Sequence, residues 1–102
     1  MGEKMKATIH TIALARQQWL IVASLDLVAN GTPKNLFIKL LANDSSLKTI
    51  PKQKNDVLIH VDDTEKILVC WKVLLLKNHA TRVAISIKPE GEEEKRVSTV
   101  IG

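Results

Sequence analysis

Trp19-Leu20-Ile21-Val22-Ala23-Ser24-Leu25-Asp26-Leu27-Val28-Ala29 is the stretch on which the fold class turns. Its odd positions are all apolar, while Ser24 and Asp26 fall on the even ones and Gln18 extends the polar set upstream. A period of two is the repeat of a strand with one buried face, because successive side chains point to opposite sides. The same period recurs outward from this stretch. Val57, Ile59 and Val61 alternate with Asp56, Leu58, His60 and Asp62, and Val83, Ile85 and Ile87 alternate with Arg82, Ala84, Ser86 and Lys88. Ala7, Ile9 and Thr11 alternate with Lys6, Thr8 and His10, a more polar pattern suited to an edge strand. Val97, Thr99 and Ile101 predict a short last strand.

Turn-forming residues separate these runs. Asn30-Gly31-Thr32-Pro33 is a strong turn signal, Asp62-Asp63-Thr64-Glu65 and Asn78-His79-Ala80 interrupt apolar runs, and Pro89-Glu90-Gly91 leads into three glutamates that predict a solvated loop. Such spacing predicts an all-β sandwich or partly open barrel of six or seven mostly antiparallel strands, built largely of hairpins. The 102 residues fit a single domain, 1–102, whose length buries roughly 60–70% of the unfolded surface without staples.

Two segments also admit helices. Thr32-Pro33 offers an N-cap and a first helical residue for a helix over 33–42, and Asp63 offers a cap for one over 64–77, which together give an α+β alternative. Strands are the better reading. The first run ends quickly at Asn43-Asp44. In the second, Ile67, Val69, Trp71, Val73 and Leu75 fall on one strand face, whereas a helix would be apolar nearly all round.

The second strand is apolar on its other face too, through Leu68, Cys70, Leu74 and Leu76. A strand wetted on one side alternates more cleanly, so this face is a candidate interface to a protein partner, including a second copy in a homo-oligomer. Cover by the loop carrying Leu47 and Ile50 is the intramolecular alternative.

Charge is concentrated. Lys34, Lys39, Lys48, Lys52 and Lys54 face only Asp44 between Asn30 and Asn55, so the whole net charge of +4 resides in that quarter of the chain. These lysines are candidates for binding an anion or a nucleic-acid backbone, or they keep a long loop solvated. Aromatic stacking platforms are not expected, since Trp19 and Trp71 fall on apolar strand faces.

Catalytic motifs are absent. No Gly-x-Ser-x-Gly elbow or Gly-rich phosphate loop occurs, and Cys70 sits in an apolar run whose burial would make its thiol inert. His10, His60 and His79 lack metal-ligand spacing, and Asp62, Asp63 and Glu65 read as turn residues. No cofactor and no metal are expected, and a cofactor-free enzyme or ligand-binding barrel with a pocket near His10 or His60 is the third functional class. The one cysteine points to a reducing, cytoplasmic setting. No apolar run reaches the roughly 18 residues of a membrane span, so no membrane partner is expected.

The stretch Ile21 to Leu40, read as two strands joined by Asn30-Gly31-Thr32-Pro33-Lys34, resembles a hairpin of immunoglobulin-like sandwiches, without the cysteine pair of true immunoglobulin domains. The resemblance implies a sandwich and carries no function. The sequence therefore predicts a non-enzymatic binding or assembly module working through a protein interface.

Overall fold

The alternating segments become strands because each offers a row of apolar side chains that a second sheet can cover. The computed structural model describes residues 5–27, 34–42, 47–49, 56–62, 65–76 and 80–102. These contain β1 (Met5–Ala15), β2 (Gln18–Leu27), β3 (Lys34–Ala42), β4 (Leu47–Thr49), β5 (Asp56–Val61), β6 (Glu65–Leu75), β7 (Thr81–Pro89) and β8 (Lys95–Ile101). The first sheet runs β1-β2-β6-β4 and the second β5-β3-β7-β8. Every neighbouring pair is antiparallel. The fold is an all-β sandwich, and the two spans read alternatively as helices carry the strands β3 and β6. Among the described residues the expected six or seven strands become eight, because the three-residue β4 lies in a segment whose lysines conceal any alternation.

Between the sheets lies one apolar cluster. Ile21, Ala23, Leu25 and Leu27 of β2 and Ile67, Trp71, Val73 and Leu75 of β6 come from the first sheet. Leu36, Ile38 and Leu40 of β3 and Val83, Ile85 and Ile87 of β7 come from the second. Trp71 is the largest of the fully buried side chains. Burying each of the larger members stabilises the fold by about 1.5–3 kcal/mol.

Only two connections are hairpins within a sheet, β1–β2 and β7–β8, and the five between them pass from one sheet to the other. This corrects the expectation of a hairpin-built chain. It also corrects the reading of Ile21 to Leu40 as a hairpin. β2 pairs with β1 and β6 while β3 pairs with β5 and β7, so the two strands lie in different sheets. The expected turn residues Asn30-Gly31-Thr32-Pro33, Asp63-Thr64 and Asn78-His79 lie outside the described residues.

The two hairpins turn differently. In β7–β8 the Glu92 amide donates to the Pro89 carbonyl at 3.0 Å, and Gly91 takes φ 78°, the left-handed position of a type II turn. In β1–β2 the turn is Arg16-Gln17, and Gln17 holds φ 59° without being glycine or asparagine. A register shift between Ala13 and Ala15 puts a bulge at Leu14 just before it. The Leu75 amide donates to the Gln17 carbonyl at 2.7 Å, tying the turn to the end of β6. At the other end of β1, the Lys95 ammonium donates to the Met5 carbonyl at 3.0 Å and joins the edges of the two sheets.

Gln17→Gly keeps the backbone donor and acceptor and removes the steric cost of the left-handed conformation. It is expected to raise unfolding free energy by about 1 kcal/mol, read as a shift of the urea midpoint at constant slope.

Candidate functional site

The outer face of the first sheet is built in rungs about 4.8 Å apart from strand to strand. Lys6, Asp26 and Lys66 form one rung, Thr8, Ser24 and Leu68 the next, His10, Val22 and Cys70 the third, and Ile12, Leu20 and Lys72 the fourth. Gln18, Leu74 and Lys48 follow. Leu68 is 63% exposed and Leu76 45%, Cys70 is exposed, and Leu74, Val22 and Leu20 are half-buried. The four residues expected to form an interface are thus brought together on a surface of mixed apolar and basic character.

Two expectations about this face are corrected. Cys70 is not buried, because a sandwich covers only the Trp71 side of β6 and leaves the Cys70 side outward. Nor does Leu47 cover that side. Its side chain is buried in the core, where β4 pairs Leu47 with Leu75, while Ile50 lies outside the described residues.

The described lysines of the basic segment do not share a surface. Lys34 is ion-paired with Glu92 at one end of β3. Lys39 points outward from the second sheet, between Asp56 and Ser86 on the neighbouring strands. Lys48 points outward from the first sheet, beside Leu74. Lys52, Lys54 and Asp44 lie outside the described residues.

The histidines are likewise dispersed. His10 and His60 lie on opposite outer faces, and His79 is outside the described residues. His10 and Cys70 share a rung but stand two strand spacings apart, about 10 Å, whereas ligands of one zinc ion lie about 4 Å apart or less. The described residues contain no group of three potential ligands that could hold a metal ion. His60 Nδ1 donates to Asn35 Oδ1 at 2.9 Å, and Asn35 Nδ2 donates to Glu90 Oε1 at 3.1 Å, a chain across β5, β3 and the β7–β8 turn.

The second sheet carries a surface cavity of about 600 Å³ on its outer face, not between the sheets. Phe37 and Leu58 form its apolar floor, 47% and 61% exposed, with Lys39, Lys88, Asp56 and Glu94 around them. Sequence reasoning missed Phe37 and Leu58, and it missed Ile12 and Leu14 of the first sheet. The available signal was a large apolar residue on the polar phase of a strand, as Leu58 is between Val57 and Ile59. Beside the cavity the Glu94 carboxylate accepts a hydrogen bond from Ser86 Oγ and one from Arg96 Nη2, the latter at 3.1 Å. These bonds, with the Arg96 charge, hold the Glu94 carboxyl below its ordinary range. Among the described residues no helix is long and apolar enough to cross a membrane.

Because Glu94 is depressed in the folded state, its small contribution to stability is present above the ordinary carboxylate range and fades as pH falls through the folded value. Ser86→Ala is expected to move the Glu94 titration midpoint upward, as followed by carboxyl-carbon NMR. An unmoved midpoint would assign the depression to Arg96 alone.

No family model matches the chain, and no curated protein is similar to it. Solved structures are. The GAE domain of GGA2p from Saccharomyces cerevisiae superposes with a TM-score of 0.56 at 16% identity, covering 99% of this chain and 90% of that one. The GAE domain of yeast GGA1 superposes with a TM-score of 0.51 at 12% identity, covering 100% of this chain and 95% of that one. At such identity the likeness is one of fold: this chain has the β-sandwich seen in GAE domains.

Proposed function

We propose that this chain is a non-enzymatic protein-binding module, a single domain whose contact surface is the outer face of β6. The observation that carries the reading is the exposure of Leu68 and Leu76, with Cys70 and Leu74 between them, on a sheet face that no described element covers. Val22 and Leu20 extend the apolar area onto β2. The sharing of a fold with GAE domains supports a module of this architecture. Lys6, Lys66, Lys72 and Lys48 surround the apolar centre, with Asp26 the carboxylate that the described pairing places on these rungs, which suits a partner with carboxylates at its rim. The lone cysteine favours a reducing, cytoplasmic setting.

The finer reading is self-association through the same face. Salt separates the two occupants. Two copies would bring like charges together, so screening favours the dimer, whereas an acidic partner is released by it.

Light scattering on a size-exclusion column, at low and high salt, is expected to show a dimer that strengthens with salt if the partner is a second copy. Leu68→Asp is expected to weaken binding at least tenfold, since an anchor of this size contributes about 2 kcal/mol or more, while leaving the thermal midpoint within a few degrees. A monomer at every concentration removes self-association. Capture of a protein partner unaffected by Leu68→Asp would place the binding surface elsewhere.

A further inference from the structure

Charge and apolar exposure are both polarised along the sandwich. Every described side-chain carboxylate except that of Asp56 lies toward one end. Asp26 and Glu65 are placed there by the pairing of Lys6 with Asp26 and of Leu27 with Glu65, and Asp62 by the pairing of Lys34 with Val61. The glutamates at 90 and 92–94 are placed there by the Lys34–Glu92 ion pair, the Asn35–Glu90 hydrogen bond and the reach of Lys95 to Met5. The opposite end is the β1–β2 tip. Between the tip and Asp26 on β2 lie eight residues, about 26 Å of strand.

At the tip, residues 12–17 are exposed without interruption, on both faces of the strand, and they read Ile-Ala-Leu-Ala-Arg-Gln. Ile12 is 50% exposed and Leu14 44%. The bulge at Leu14 sits just before the turn, whose Gln17 carbonyl is held by the Leu75 amide at the end of β6. Arg16 is in the turn itself, Lys72 shares a rung with Ile12, and Lys48 shares one with Gln18. Exposed aliphatic side chains beside Arg16, with Lys72 and Lys48 on the neighbouring strands and most described carboxylates toward the other end, match the boundary between anionic headgroups and acyl chains. A nucleic acid would use the cations and leave Ile12 and Leu14 wet.

We propose that the exposed β1–β2 tip docks this domain on an anionic lipid surface. Ile12 and Leu14 enter the headgroup boundary, and Arg16, Lys48 and Lys72 contact lipid phosphates and carboxylates. The acidic end points away from the surface, so the docking is oriented. It is peripheral, consistent with a chain that has no run long enough to span a bilayer.

Flotation of the full chain with phosphatidylcholine vesicles, with and without phosphatidylserine, tests this. Binding is expected only with phosphatidylserine and is expected to fall as salt rises. The double variant Ile12→Asp/Leu14→Asp is expected to lose at least tenfold in vesicle affinity, and Arg16→Glu, at an exposed turn position, at least about fivefold. Circular dichroism confirms that both remain folded. Leu68→Asp, on the surface assigned to the protein partner, is expected to leave vesicle binding unchanged. The proposal is overturned if the wild-type chain ignores phosphatidylserine vesicles at low salt, if the tip variants bind as the wild type does, or if Leu68→Asp alone abolishes binding. Loss of a protein partner, and not of lipid, in the tip variants would likewise overturn it in favour of a second protein contact.

Discussion

The whole arrangement depends on one constraint: the inward rows of the four central strands must cover each other. β2 and β6 offer Ile21, Leu25, Trp71 and Val73, and β3 and β7 offer Leu36, Ile38, Ile85 and Ile87, all within one cluster. None of these rows could be buried by its own sheet, because a sheet has two faces and each row occupies one. Once the rows are committed inward, the opposite phase of every strand is committed outward, whatever its chemistry. That is why Leu68, Phe37 and Leu58 are exposed although each lies in an apolar neighbourhood of sequence. The exposed apolar surfaces are a by-product of core register.

The same constraint explains what could be read in the sequence. Period-two alternation identified β2, β5 and β7 directly, since the inward phase there is apolar and the outward phase mostly polar. β6 was legible as a strand through its β-branched and aromatic phase. Its outward phase was read as hidden, yet a sandwich buries one face only, so Cys70 is exposed. The β1–β2 turn left no mark, because Gln17 adopts a left-handed conformation that glycine, asparagine or aspartate usually signals. The Asn30-Gly31 signal was read as a hairpin between strands that turn out to lie on opposite sheets.

The candidate sites divide along the same line. Leu68, Cys70, Leu74 and Leu76 were found because a strand apolar on both phases is unusual, and the structure does gather them on one surface. Ile12 and Leu14 were invisible because nothing in the sequence marks where an edge strand is exposed on both faces. The lysines fared worst. Proximity in sequence suggested proximity in space, but β3 and β4 belong to different sheets, so Lys39 and Lys48 point away from each other.

The five successive crossings between sheets have a kinetic consequence. Neither sheet can assemble by itself from neighbouring segments, since apart from two terminal hairpins each strand pairs with one distant in sequence. β2 must wait for β6, and β3 for β7, before either gains its second ladder of hydrogen bonds. Chains of this connectivity close large loops before contacts reward them, and such sandwiches fold in roughly milliseconds to seconds. During that interval the β1–β2 and β7–β8 hairpins are the ladders that can form locally, and each holds one row of apolar side chains with no opposite sheet yet to cover it.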